Sequence, residues 1–184
     1  MKTSVGVFLS ASDRVSPSLL EEAKNFGSRL AEKGFHVVYG GASCGSMGAL
    51  AQGVLEKKGT LTGVIPEIDI LQELVRPNLT EKIVVPKMSD RKEQLMEKSD
   101  AFVFFPGGLG TLDEITEVLC LKSLGAKNCM KPVVFYNYLG FWTPFLESLE
   151  IMCEQRVISG PLDQMYQVFE TSEEVLGYLS DQNQ

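Results

Sequence analysis

Short runs of β-branched and aromatic residues alternate with longer amphipathic stretches along this chain. The pattern predicts strands over residues 5–9, 35–39, 60–65, 82–85, 101–105, 132–136 and 167–170. It predicts helices over residues 18–33, from the glycine-rich turn 40–48 to about 58, and over 89–98, 111–124, 141–155 and from 171 onward, with 67–81 irregular or briefly helical. Strands that alternate with helices form a parallel sheet with helices on both faces. The alternation therefore predicts an α/β fold.

The run Ala101-Phe-Val-Phe-Phe105 is apolar throughout, which is typical of a strand buried on both faces of a sheet. Phe102, Phe104, Phe105 and Trp142 are accordingly expected in the core. In open parallel sheets, ligands bind beyond the carboxyl ends of the strands. Both glycine-rich turns of the chain follow predicted strands, so any ligand site is expected at that edge.

Charge limits the partners that the chain can have. With 17 basic and 24 acidic side chains, the formal net charge is −7. Nucleic acid and anionic membranes are bound by clustered Lys and Arg, so neither is expected as a partner. No apolar run approaches the roughly 20 residues that cross a bilayer. A small anion in one local pocket stays compatible with this composition.

The length of 184 residues fits one domain, so residues 1–184 are predicted to form a single domain with a frayed tail at 180–184. The cysteines are not paired as C-x-x-C, and His36 is the only histidine. Zinc sites need clustered Cys and His, so no metal is expected. The thiols predict a reducing cytoplasm. We expect Cys120 in the core and a structural role for His36.

The strongest chemical signal is the segment Pro106-Gly-Gly-Leu-Gly-Thr-Leu-Asp-Glu114. Glycines let a backbone approach a ligand closely, and a helix start presents free N–H groups and a positive dipole end to a phosphate. The segment is neither a Walker motif nor G-x-G-x-x-G. It predicts an anion-binding turn.

Glu114 has two interpretations on sequence alone. Thr111 and Glu114 have capping-box spacing, with Thr111 as N-cap and Glu114 folding back onto it. A carboxylate beside a phosphate would repel it, so Glu114 is otherwise expected to face a sugar or a water. The capping box is the interpretation that the local pattern favours.

Two further segments follow predicted strands. Met88-Ser-Asp-Arg-Lys92 places Arg91 and Lys92 near a helix start, where the helix dipole disfavours cations. That placement indicates an anionic ligand, although a solvated charged helix face gives the same pattern. In the turn 40–48, the glycines either permit a tight turn and close packing, or Ser43 and Ser46 line the same pocket. Cys44 has no histidine to act as its base, so a cysteine nucleophile is not expected.

Taken together, these residues resemble the LONELY GUY (LOG) family, whose members were often labelled possible lysine decarboxylases. Residues 106–114 match its P-G-G-x-G-T-x-x-E signature, and Val38-Tyr-Gly-Gly41 with Gly45-Ser-Met-Gly48 is similar to its Y-G-G…G-x-M-G stretch. Gly63-Val-Ile-Pro66 and the Arg91-Lys92 pair follow in family order. Lys87 and Ser89 depart from it, because the family commonly has Asp and His there.

The resemblance implies a Rossmann-like, doubly wound fold, a homodimer, and hydrolysis of a nucleoside 5′-monophosphate, such as AMP or an N6-substituted relative, to free base and ribose 5-phosphate. It implies Arg91 and Glu114 as the catalytic pair, with no cofactor. The positions that it implies for substrate contacts, together with those from the two glycine turns, are Met88, Lys92, Gly107, Gly108, Gly110, Thr111, Gly41 and Ser46. The alternative is a nucleotide or molybdenum-cofactor carrier without hydrolysis. An amino-acid decarboxylase fits poorly, because no lysine stands out for a Schiff base.

Overall fold

Seven strands form one sheet in the computed structural model, which describes residues 3–68, 74–158 and 160–182. The strands are Ser4–Phe8 (β1), His36–Tyr39 (β2), Thr60–Pro66 (β3), Glu81–Val85 (β4), Ala101–Phe104 (β5), Val133–Tyr136 (β6) and Gln167–Phe169 (β7). Their spatial order is β4-β3-β2-β1-β5-β6-β7, and all neighbours are parallel. This order confirms the predicted α/β class and its doubly wound, Rossmann-like form.

Helices cover both faces of the sheet. Within the described ranges they are Pro17–Glu32 (α1), Gly45–Glu56 (α2), Met88–Lys98 (α3), Leu109–Ser123 (α4), Thr143–Glu154 (α5) and Ser172–Asp181 (α6). Helices α1, α2 and α6 pack on one face, and α3, α4 and α5 pack on the other. None of these helices is long and apolar enough to cross a membrane.

Alternation along each strand divides the core between the two faces. In β5, Val103 and the following Phe105 join the α1–α2–α6 side, whereas Phe102 and Phe104 join the α3–α4–α5 side. All four are fully buried, and Trp142 is almost so. The predictions of a strand buried on both faces and of aromatic core packing are confirmed.

Some element boundaries differ from the predicted ones. Helix α4 starts at Leu109, two residues earlier than predicted, and α5 starts at Thr143 after a 3₁₀ turn over Tyr138–Gly140. Leu139 in that turn has φ +53°, and Trp142 is the N-cap of α5, so Phe141 precedes the helix that was expected to begin there. At the other end, α6 runs through Asp181, so Ser180 and Asp181 are helical where fraying was expected. Of the irregular stretch 67–81, residues 69–73 lie outside the described residues.

The chain order of the strands creates a crevice beside β1. From β1 the sheet grows through β2, β3 and β4 in one direction, and through β5, β6 and β7 in the other. The connections that follow β1 and β5 therefore leave toward opposite faces, so the carboxyl ends of these two neighbouring strands open onto a gap. The register pairs Phe8 with Phe104 at this edge.

Helices α1 and α2 approach each other through glycine. A Cβ atom added to Gly27 of α1 would overlap the backbone carbonyl of Leu50 in α2. The helix surfaces meet at this point with no room for a methyl group. Because α2 also carries the turn that borders the crevice, this close packing fixes one wall of the crevice relative to the sheet.

Replacing Gly27 by alanine is expected to lower the free energy of unfolding by about 1–3 kcal/mol, because the added methyl group must push α1 and α2 apart. Urea unfolding of the full chain measures this change. Gly177 in α6 is the matched control, since a Cβ there meets no atom within 4 Å. Gly177→Ala should raise the stability by about 0.5–1 kcal/mol through helix propensity. Equal effects of the two substitutions would contradict the packing argument.

Candidate active site

A cavity of about 420 Å³ opens at the carboxyl edge of the sheet, beside the gap between β1 and β5. Its walls come from the turns after β1 and β2, from the end of β3 and from the starts of α3 and α4. Among the residues that the structure describes, the lining is largely apolar and its charged members are Arg91 and Glu114. Such a cavity has the size and composition of a small-molecule site.

Arg91 and Glu114 form a buried ion pair in this cavity. Nη1 of Arg91 donates to Oε1 of Glu114 at 2.9 Å, and Nε donates to the carbonyl of Val64 in β3 at 3.1 Å. The residues are only 8% and 6% exposed. Arg91 thus links β3 to α4. Its guanidinium is held by one hydrogen bond to a backbone carbonyl and one to a side-chain carboxylate.

Burial raises the pKa of Glu114 above its ordinary value, because the charged form loses hydration, and the adjacent Arg91 guanidinium opposes this rise. The nearby Asp113 carboxylate adds to the rise and the Lys92 ammonium opposes it. A carboxylate with a raised pKa is a stronger base than an exposed one once it is ionised. The environment of Glu114 therefore suits proton transfer at the cavity.

The start of α4 borders the same cavity through Gly108, Leu109, Gly110 and Thr111. The N–H of Leu112 makes the first bond within the helix, to the carbonyl of Gly108 at 3.0 Å. The preceding amides belong to the first turn, which has no partners within the helix. A helix start with such amides binds anionic groups, phosphate above all.

The predicted capping box at Thr111 and Glu114 is wrong. The helix begins two residues earlier, with Gly108 as its N-cap, so Thr111 lies inside the first turn. The Glu114 carboxylate bonds to Arg91 of another helix and not to the backbone of Thr111. Gly108 carries no side chain, so the N-cap residue itself does not compete with a ligand for the first-turn amides.

Most of the candidate residues line the cavity: Gly41, Met88, Arg91, Gly108, Gly110, Thr111 and Glu114. Three do not: Ser46, Lys92 and Gly107. Gly107 acts indirectly, because a Cβ at this position would overlap the side chain of Thr111. The buried Thr111 hydroxyl can lie at the cavity only if residue 107 is glycine.

Lys92 lies outside the cavity lining and is bound to two carboxylates. Its Nζ lies 2.9 Å from Oδ2 of Asp113 and 2.6 Å from Oε2 of Glu117. These bonds, led by the one to Glu117, raise the pKa of Lys92. Asp113 and Glu117 are therefore the ion-pair partners of Lys92.

The turn between β2 and α2 provides space rather than an anion site. Ser46 is fully buried in the first turn of α2 and lies outside the cavity lining. A Cβ on Gly40 would overlap Nη2 of Arg91, and Gly41 has φ +80°. Of the two interpretations of this turn, tight geometry and close packing fit best. The Cys44 thiol donates to the carbonyl of Ala11, and burial raises its pKa, so it is a poor nucleophile.

One wall of the cavity escaped sequence analysis. Leu74 and Val75 line it, held by an antiparallel bridge between Ala42 and Val75 and by a bond from the Ser43 N–H to the Leu74 carbonyl at 2.8 Å. Leu109, which is 85% exposed, also lines the cavity. The chain between β3 and β4 has no periodic pattern, so only the edge rule for parallel sheets pointed to this region.

The remaining candidates lie away from the cavity. His36 bonds through its two ring nitrogens to the hydroxyls of Thr60 and Thr62, which agrees with a structural role. Cys120 was expected in the core but is exposed on α4. In the described ranges, His, Cys, Asp and Glu form no group of three or more that could hold a metal ion.

Comparison with known proteins gives these features a family. A family model described as "Possible lysine decarboxylase" matches residues 47–179. The chain is 39% identical over 148 residues to a cytokinin riboside 5′-monophosphate phosphoribohydrolase of Rhodococcoides fascians, covering 80% of this chain and 74% of that protein. It is 32% identical over 177 residues to a probable enzyme of the same name from Oryza sativa subsp. japonica, covering 96% of this chain and 71% of that protein.

Solved structures show the same fold at lower sequence similarity. The molybdenum cofactor binding protein from Rippkaea orientalis superposes with a TM-score of 0.74 at 20% identity, over 100% of this chain and 99% of that chain. This likeness concerns the fold alone, whereas the family model and the relatives also match the sequence. The chain belongs to the family described as Possible lysine decarboxylase, the LOG family that its glycine motif resembles.

Proposed function

We propose that this chain hydrolyses the N-glycosidic bond of a nucleoside 5′-monophosphate, AMP or an N6-substituted adenosine monophosphate, to free base and ribose 5-phosphate. The observation that carries the proposal is the buried Arg91–Glu114 ion pair, which faces the same cavity as the start of α4. The names of the sequence relatives support the same reaction class.

The phosphate of the substrate binds the first-turn amides of α4, from Leu109 to Thr111. This anchor places the ribose toward Glu114, one turn further along the helix. Glycoside cleavage passes through an oxocarbenium-like state with positive charge on the sugar. The Glu114 carboxylate stabilises that charge and accepts the proton of the attacking water.

The bond changes balance without any other reactant. The oxygen of the water forms the new bond to C1′ of the ribose, and its proton moves to Glu114. The electron pair of the broken C–N bond leaves with the base, which then takes up that proton, so neutral base is released and Glu114 returns to its carboxylate form. Arg91 keeps its proton, so it holds the substrate and stabilises the charge on the departing base. Since Arg91 bonds Glu114 only through Nη1, its Nη2 group keeps donors for the substrate.

The proposal includes a cytoplasmic homodimer with no cofactor. The unpaired cysteines support a reducing compartment. Support for a second copy comes from the family resemblance and from exposed apolar side chains, among them Leu124 and Val157, at a groove beside α4 and α5.

A carrier without hydrolysis is the competing function, because the molybdenum cofactor binding protein has the same fold. A carrier does not need a base with a raised pKa. The decisive assay incubates the protein with AMP and with isopentenyladenosine monophosphate and measures free base and ribose 5-phosphate. Release of both products supports the hydrolase, whereas tight nucleotide binding without base release favours the carrier.

Glu114→Gln is expected to lower kcat by about 100- to 10,000-fold, because the amide can neither accept the proton of water nor offset the positive sugar. Its oxygen still accepts a bond from Arg91, so the Kd for AMP, measured by calorimetry, should stay near that of the parent chain. The exposed Glu93 on α3 supplies the control Glu93→Gln, with unchanged turnover. Parent-like turnover in Glu114→Gln would remove Glu114 from the mechanism.

Arg91→Lys is expected to fold and to lose roughly 100-fold in kcat, since an ammonium group cannot bond Val64 and Glu114 together in the geometry of a guanidinium. Arg91→Ala should in addition lower the stability by about 3–5 kcal/mol, because Glu114 is left buried and unpaired. Thermal unfolding and base release measure the two effects separately. Full activity of Arg91→Lys would contradict the assigned role.

The turnover rate is expected to fall as the solution is acidified, and to do so at a higher pH than it would if the base were an exposed glutamate. The base must be ionised, and burial raises the pKa of Glu114, so turnover is complete above that raised pKa and is lost as the pH falls through it. The acid limb of kcat against pH should lie above about 4.3. A limb at or below that value would show that a different group acts as the base.

A further inference from the structure

Lys92 directly follows Arg91 on α3, yet its side chain reaches a different part of α4. Arg91 bonds Glu114 at the cavity, whereas Lys92 bonds Asp113 and Glu117 beside it. The Lys92 side chain is only 18% exposed. Helices α3 and α4 are therefore joined by two layers of ion pairs, one at the cavity and one outside it.

The donors of the Lys92 ammonium group are directed mainly at the protein. One N–H bond goes to Oδ2 of Asp113, and Oε2 of Glu117 lies 2.6 Å from Nζ as an ion-pair partner. Asp113 and Glu117 are four residues apart on α4 and so lie on the same helix face. This face is adjacent to the one that carries Glu114, and Lys92 lies outside the cavity lining.

The start of α3 needs such an attachment. Its N-cap, Lys87, makes no side-chain capping bond, and Arg91 lies near the helix end where the dipole disfavours a cation. Arg91 is also a long side chain with many rotamers, which must be held for its bonds to Val64 and Glu114 to form together. A tie between α3 and α4 next to Arg91 reduces this freedom.

We propose that Lys92 is a positioning residue and not a substrate contact: its bonds to Asp113 and Glu117 tie α3 to α4 and so hold the Arg91 guanidinium against the Glu114 carboxylate. The kinetic consequence rests on the proposed hydrolysis. The structural consequence, the state of the Arg91–Glu114 pair, does not rest on it. The two can therefore be tested separately.

The kinetic test uses Lys92→Met and Glu117→Gln, which break the tie from opposite ends. Each is expected to lower kcat with AMP by roughly 10- to 100-fold, as small displacements of catalytic groups do. KM and the Kd for ribose 5-phosphate should stay unchanged. Lys92→Arg should restore most of the turnover, because a guanidinium can bridge both carboxylates. The double variant should be no slower than either single one.

Lys57→Met is the matched control. Lys57 pairs with Glu32 at 2.6 Å, with both side chains about half exposed and neither among the cavity residues. Its loss removes an ion pair of similar length at the surface, so it reports what a broken surface pair does to the melting temperature alone. Turnover of this variant should equal that of the parent chain.

Carbon-13 NMR titration of the Glu114 carboxyl, assigned with Glu114→Gln, tests the tie without turnover. The charged groups acting on Glu114 are Arg91 and Lys92 from α3 and Asp113 from α4. In Glu117→Gln, removal of a negative charge by itself lowers the pKa of Glu114. Loosening of Arg91 raises it instead. The proposal therefore expects an upward shift in Glu117→Gln.

Each outcome decides between the alternatives. A weaker Kd for ribose 5-phosphate in Lys92→Met, with parent-like Glu117→Gln, would overturn the proposal and make Lys92 a phosphate contact. A downward or absent shift of the Glu114 pKa in Glu117→Gln would also overturn it. If the parent chain releases no base, the proposed function fails, and the titration still decides the role of Lys92. If Lys92→Met does not fold, Glu117→Gln carries both tests.

Discussion

Arg91 and Glu114 bring opposite charges to a place from which most water is excluded, at the edge of an apolar cavity. Burying an ion pair costs hydration free energy that the attraction between the charges offsets only when the geometry is good. Such a pair is weak as a source of stability, and an apolar pair of the same volume often serves a core better. Under the proposed function, the pair serves the chemistry that a buried, directed carboxylate permits.

Several features of the fold follow from this pair. Gly40 leaves the space that Nη2 of Arg91 occupies, and the carbonyl of Val64 at the end of β3 accepts the Nε bond. Glu114 reaches the cavity because α4 starts at Leu109, one turn and a half before it. The doubly wound strand order brings β3 and α4 to the same crevice although they are distant in sequence. The pair is thus a long-range contact that only the complete sheet can form.

This long range explains what the sequence could and could not predict. Local patterns identified the strands, including the doubly buried β5, and the start of the last helix, where Thr171 and Glu174 form a capping box. The same local rule failed at Thr111 and Glu114, because the competing partner of Glu114 lies 23 residues away on another helix. The different surroundings of Lys92 and Arg91 could not be predicted from their residue types. A rotation of about 100° per residue sends neighbours on a helix to different surfaces, and only the packing shows which surface meets the cavity. The prediction that Cys120 is buried was wrong for a related reason. The amphipathic period fits α4, but which side of its last turn is exposed depends on how the helix packs.

The paired charges around the cavity limit how it can attract a phosphate. Two cations, Arg91 and Lys92, are paired with three carboxylates in this cluster. Its formal charge is therefore not positive, although the whole chain is acidic and the ligand is an anion. An anion gains little from the net charge of these side chains. Its attraction must come from directed dipoles, which are the first-turn amides of α4 and the remaining donors of Arg91. Directed donors bind a phosphate at one point, whereas a diffuse positive field would bind any polyanion. Under the proposed function, this difference lets an acidic protein select a small phosphorylated ligand.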